Sequence, residues 1–179
     1  TLVETHLAAQ NLSPEAIASE KAFWSSMALL LQNVGAFFGM TVMTKIAQVK
    51  GRRIAFALAL LASFVTTVLV FKGMHHFSQI FWMIPLMGFG QLGVFAVYAI
   101  YLPELFPTSL RSTGTSFCYN FGRLIAATAP FTIGQITRSL GGNIEGFRTA
   151  GVWVSLVLLL GILVLPFLPE TKDKPLPEE

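Results

Sequence analysis

One arginine, Arg123, sits in the middle of an otherwise uncharged stretch spanning residues 113–137. A charge near the centre of a bilayer costs at least about 2.5–3.5 kcal/mol, so in a membrane helix this side chain must face protein or water. Ser116, Tyr119 and Asn120 before Arg123, and Ala127 after it, share its helical spacings of three and four, which places polar groups on its face. Thr128 and Gln135 continue the polarity. Arginine stays charged and offers a planar donor fork, a chemistry suited to carboxylate or phosphate. Two roles are open to it: contact with an anionic solute, or a structural bond to a neighbouring helix. Gln32, Asn33 and Gln91 bring amides to similar depth in two other apolar stretches, where they can bond a solute or bridge helices. Tyr98 and Tyr119 are weaker candidates, since such aromatics more often pack or anchor.

A second set of charges lies at the ends of the apolar stretches. Arg52, Arg53, Glu104, Arg111 and Glu170 fall there, and by themselves they read as solvated loop charges, worth about 0–1 kcal/mol per pair. Catalysis has no support. The apolar stretches carry no Asp, Glu, Lys or His at their centres, so neither an acid–base pair nor a nucleophile with its base is available. Cys118 stands alone, which excludes an internal disulfide and a multi-cysteine metal site. His75 and His76 are adjacent and make a poor metal site, so no metal, no cofactor and no enzyme activity is expected. The same lack of a midplane carboxylate leaves proton coupling without a carrier in this segment.

The elements that must hold these residues are membrane helices. The chain has 179 residues, 54% of them hydrophobic and 12% charged, with a mean hydropathy of +0.66. Ordinary soluble domains carry about 25% charged residues. Disorder needs the opposite composition, and a net charge of +3 from scattered cations gives no support for nucleic-acid binding. The expected fold is an all-α membrane protein, with five transmembrane helices over residues 23–47, 54–71, 77–101, 113–137 and 147–168. Each is near the length of about 20 residues that a span requires. Polar or helix-stopping sequences separate them, such as Lys50-Gly51-Arg52-Arg53 and Gly141-Gly142-Asn143. Residues 1–22 are too polar to span. They are expected to form an extracytoplasmic loop with a short amphipathic helix, capped by Ser13 with Pro14 at its first position. Lys45, Lys50, Arg52, Arg53, Arg111, Lys172 and Lys174 fall on one side, against Lys21, Lys72, Arg138 and Arg148 on the other. The positive-inside rule then makes the first side, with the tail 169–179, cytoplasmic. Gly35 and Gly39 permit close helix approach, and Pro85 and Pro130 are expected to kink their helices.

Three patches occur together: Gly51-Arg52-Arg53; Pro103-Glu104-Leu105-Phe106-Pro107-Thr108 leading to Arg111; and Pro169-Glu170-Thr171-Lys172, with Leu176-Pro177-Glu178 soon after. With these the chain resembles the C-terminal half of a major facilitator superfamily transporter, in its sugar-porter and organic-ion-transporter branches. The resemblance implies helices eight to twelve of a twelve-helix protein, hence a fragment whose N-terminal half is its missing partner. It implies an integral protein of the plasma (inner) membrane that moves small organic solutes, organic anions or sugars, by alternating access. A non-transporting receptor or scaffold with the same fold is the alternative. The resemblance also implies a cytoplasmic gate of Glu104, Arg111, Arg52, Arg53 and Glu170, and a substrate cavity lined by Arg123, Asn120, Tyr119, Gln91, Gln32 and Asn33. Organic-ion relatives that handle anions tend to carry Arg near the place of Arg123. One departure is plain: where the family has Asp and Arg ahead of Gly-Arg-Arg, this chain has Gln48 and Val49, which removes the acidic member of that loop.

Overall fold

The computed structural model describes residues 14–175 and residue 177. Among them the regular structure is entirely helical. Helix α1 runs Pro14–Lys50, α2 Arg52–Gly73, α3 Ile80–Glu104, α4 Arg111–Ala126, α5 Ala129–Ser139, α6 Ile144–Ser155 and α7 Val157–Val164. Single 3₁₀ turns lie at Phe77–Gln79, ahead of α3, and at Leu165–Phe167, after α7. Among the described residues, four segments are long and apolar enough to cross a membrane: Glu15–Lys50, Arg52–Gly73, Phe77–Glu104 and Ile144–Phe167.

Two sequence expectations need correction. Among the described residues no separate amphipathic helix precedes the first span, because α1 is continuous from Pro14. Residues 15–22 are mostly good helix formers with no Gly or Pro among them, so nothing stops the helix there. At 1.5 Å per residue, its 37 residues reach about 55 Å, well beyond a hydrocarbon core of about 30 Å. The expected Ser13 cap and residues 1–13 lie outside the described residues. The fourth expected segment is two helices rather than one, interrupted at Ala127 and Thr128. Pro130, in the first turn of α5, explains the break: it has no N–H to donate and its ring crowds the Ala126 carbonyl. Pro85 and Pro103, by contrast, lie inside α3.

The packing centre is the trio α1, α2 and α3. Glycines bring α1 and α3 to backbone contact: a methyl group at Gly35 would overlap the Pro85 carbonyl, and one at Gly39 that of Phe89. Trp24 fastens the other end of α1, edge-on to Phe77 at 4.7 Å between ring centroids. Between α2 and α3 a buried cluster forms around Ala55, Ala59, Val94 and Val97, with Met43 of α1 and Leu165 closing it. Phe56 packs edge-on against Tyr101 at 5.4 Å in the same cluster. Helices α4 and α5 contribute no buried residue. Phe117, Phe121, Leu124, Ile125 and Phe131 are all exposed.

Candidate functional site

The charged residues at one end of the trio form a clamp. Gly51 separates α1 from α2 with φ of 103°, a left-handed conformation that favours glycine. The turn presents the first backbone N–H groups of α2 to the Glu170 carboxylate. Glu170 Oε1 accepts from the Arg52 backbone N–H at 2.9 Å, and Oε2 accepts from that of Arg53 at 3.1 Å. The helix start thus gains an anionic cap from a residue 118 positions away, satisfying donors that have no partner within the helix. Thr171 and Lys172 also donate their backbone N–H groups to Oε1, at 3.0 and 3.1 Å. Burial by itself would raise the Glu170 pKa, but the N–H groups of Arg52, Arg53, Lys172 and Thr171 together hold it below the ordinary carboxylate value.

The Arg52 side chain points the other way, to Glu104 at the end of α3. Its Nε donates to Oε2 at 2.9 Å and its Nη2 to Oε1 at 2.6 Å. This is the bidentate geometry that makes Arg–carboxylate pairs strong. Both side chains are largely shielded, with 15% and 18% exposure. Arg52 Nη1 donates to the Ala47 carbonyl, Thr171 Oγ1 to Glu104 Oε2 at 2.5 Å, and Lys172 Nζ to the Val49 carbonyl at 2.7 Å. Tyr101 completes the set by donating its hydroxyl to the Pro169 carbonyl at 2.7 Å. Three stretches far apart in sequence are thereby joined: the α1–α2 junction, the end of α3 and residues 169–172.

Of the five expected gate residues, Arg52, Glu104 and Glu170 meet directly. Arg53 takes part through its backbone. Arg111 does not join them. Its Nη2 donates to Thr108 Oγ1 at 3.3 Å, and its Nε is buried without a partner. Arg111 begins α4, and its guanidinium bonds back to the preceding turn at Thr108. Tyr101 and Thr171 were not singled out from sequence. Tyr101 lies three residues before Glu104, the spacing that puts two residues on one helix face, and this was the available signal.

The expected cavity residues stay in separate places. Gln91 Nε2 donates to Thr67 Oγ1 at 3.2 Å, bridging α3 and α2. Gln32 lies on α1, where its backbone carbonyl faces Gly88 of α3. Asn33 is exposed and donates to the Leu29 carbonyl of its own helix. Asn120 likewise donates to Ser116 of its own helix at 2.9 Å. The Arg123 guanidinium lies over the Tyr119 ring, 5.8 Å from its centroid, within cation–π range. An open groove of about 770 Å³ runs along α4, lined by Ser116, Asn120, Phe117 and Phe121 among others. Arg123 and Tyr119 are not part of that lining, so the polar positions expected on one face divide between two.

Comparison with known proteins supplies what this geometry does not. Residues 72–178 match the family described as sugar (and other) transporter. Over 99 residues the chain is 34% identical to the cis,cis-muconate transport protein of Acinetobacter baylyi, covering 55% of this chain and 23% of that protein. It is 36% identical over 86 residues to organic anion transporter 3 of Sus scrofa, covering 48% and 14% respectively. Over 138 residues it is 27% identical to a Cupriavidus pinatubonensis protein named "Probable 4-methylmuconolactone transporter", covering 77% and 31%. The matched segments therefore span less than a third of each of these relatives. No solved structure matches at the same stringency.

Proposed function

The chain belongs to the sugar (and other) transporter family of the major facilitator superfamily, and from that premise we propose that it serves the transport of small organic solutes, organic anions first among them, as one half of a two-half transporter. The observation that carries the reading is the family match over residues 72–178, which takes in Glu104 and Glu170 of the clamp. Relatives named for muconate, a muconolactone and organic anions support the anionic class. Arg123 fits it as an exposed cation beside an aromatic ring, a pairing suited to a carboxylate on an unsaturated skeleton.

Alternating access is the mechanism that suits the clamp. Two halves rock about a central site, and one of the two conformations must own contacts that the other lacks. The Arg52–Glu104–Glu170 clamp is such a set of contacts, located at one end of the bundle. It closes the cytoplasmic side in our reading, with residues 169–179 and the α1–α2 junction on that side of the plasma membrane. Arg123, Asn120 and Tyr119 would meet solute in the assembled cavity, with Gln91, Gln32 and Asn33 on neighbouring helices.

Uptake by proteoliposomes tests this. A full-length transporter carrying this segment should accumulate labelled cis,cis-muconate in preference to tetraethylammonium or glucose. Arg123→Gln should reduce muconate uptake roughly tenfold or more, the usual consequence of losing a hydrogen bond to a charged group. Uptake confined to cations, or muconate uptake indifferent to Arg123→Gln, would overturn the anionic assignment. The 179-residue chain reconstituted by itself should take up nothing.

A further inference from the structure

Helix α2 carries the clamp at Arg52 and a second basic site at its other end, about 30 Å away by helical rise. There Phe71, Lys72, Glu145, Arg148 and Thr149 line a cavity of about 220 Å³. Its floor is set in place. Phe71 packs so tightly on α6 that a Cβ at Gly151 would lie 2.5 Å from its ring, and its ring stands 5.8 Å from that of Phe147.

The cationic part is also held in position. The Arg148 side chain is only 14% exposed, and its Nη2 donates to the Met74 carbonyl at 2.5 Å. Its remaining donors are weakly engaged: Nη1 lies 3.9 Å from Glu145 Oε1, beyond hydrogen-bonding reach. Glu145 is 76% exposed, so it is a loose partner that an incoming anion can displace. Lys72 is exposed and, among the described residues, makes no hydrogen bond or ion pair. Two cations from different helices therefore converge on one cavity with an aromatic floor, and one acidic residue on its rim leaves a positive balance.

We propose that this cavity binds an oxyanion, carboxylate or phosphate, between Lys72 and Arg148 over the Phe71 ring. The fixed guanidinium supplies directional donors and the free ammonium supplies a mobile charge. The ligand has two sources: an organic carboxylate from solution, or the phosphate of an anionic phospholipid. The site is separate from Arg123 and its test requires no transport.

The test uses the full 179-residue chain. In nonionic detergent, sodium benzoate is titrated by calorimetry, with benzamide as the neutral isostere. If the ligand is a soluble carboxylate, benzoate should bind and benzamide should not, and Lys72→Gln should weaken benzoate binding roughly fivefold, as for loss of one partly exposed ion pair. Lys72 is the residue to change because its removal breaks no hydrogen bond or ion pair among the described residues. The second measurement follows acetylation of the Lys72 amine by mass spectrometry in nanodiscs of phosphatidylglycerol or phosphatidylcholine. A lipid source predicts slower Lys72 acetylation in phosphatidylglycerol, with the protection reduced in Arg148→Gln, and little binding of benzoate. A soluble source predicts Lys72-dependent benzoate binding and equal acetylation in the two discs. Equal acetylation in the two discs, together with benzoate binding that is absent or ignores Lys72→Gln, would overturn the site.

Discussion

Glu170 accepts the backbone N–H of Arg52 at 2.9 Å while the Arg52 side chain turns away to grip Glu104. One residue thus connects two carboxylates from different parts of the chain, by its main chain to one and by its guanidinium to the other. Neither contact competes with the other for donors, so the clamp has two separable components.

The side-chain component should show as pairwise coupling. Glu104→Gln weakens the bidentate bond and leaves Arg52 partly unpaired, which should destabilise the chain by about 1.5–3 kcal/mol. A double-mutant cycle with Arg52→Gln, followed by thermal unfolding in detergent, should give a coupling of about 1–3 kcal/mol. Additive effects of the two substitutions would mean that the pair contributes nothing specific.

The main-chain component should show in pH. The Glu170 pKa is lowered on folding, so the folded state binds its proton more weakly than the unfolded state. Stability from this group is then fully present above the ordinary glutamate value, about 4.3, and is lost as pH falls through the lower folded value. The difference in unfolding midpoint between the parent chain and Glu170→Gln should be constant near neutrality and shrink below about pH 4.5. A difference that grows on acidification would contradict the assignment.

Gly51 joins the two components. Alanine there meets an unfavourable φ of 103°, and its Cβ would lie 2.8 Å from Glu170 Oε2. Gly51→Ala should cost about 1–3 kcal/mol of stability and remove most of the pH-dependent difference assigned to Glu170. An unchanged thermal midpoint would show that the turn is not strained.

Helix packing offers a matched comparison. Gly39→Ala puts a methyl group into the Phe89 carbonyl, whereas a Cβ at Gly122 has nothing within 4 Å. Since overpacking typically costs about 1–3 kcal/mol, Gly39→Ala should lower the thermal midpoint of unfolding and the denaturant midpoint. Gly122→Ala should do neither, and it should slightly favour α4 through helix propensity. Equal behaviour of the two variants would deny the close approach of α1 and α3.

The membrane-helix class and the apolar segments were legible from composition, and the grouping of Glu104, Glu170 and Arg52 only through the resemblance that their motifs carry. Hydrophobic length identifies helices in a bilayer because every backbone group must be paired within the segment. Charges at helix ends stand out for the same reason, since so few are tolerated elsewhere. Gly51 and Pro130 were visible as breakers, but their consequences differ by context. Pro130 divides its segment after Ala126, whereas Pro85 and Pro103 are absorbed within α3, and composition does not distinguish these outcomes. Only the tertiary structure decided that Glu170 caps α2 through main-chain N–H groups, that Tyr101 and Thr171 join the clamp, and that Arg111 stays out of it. It also decided that Lys72 and Arg148, 76 positions apart, line one cavity. These are directional, long-range contacts. The number and spacing of charges in a sequence constrain which ions are available to pair, but the choice of partner depends on distances that arise only when the helices pack.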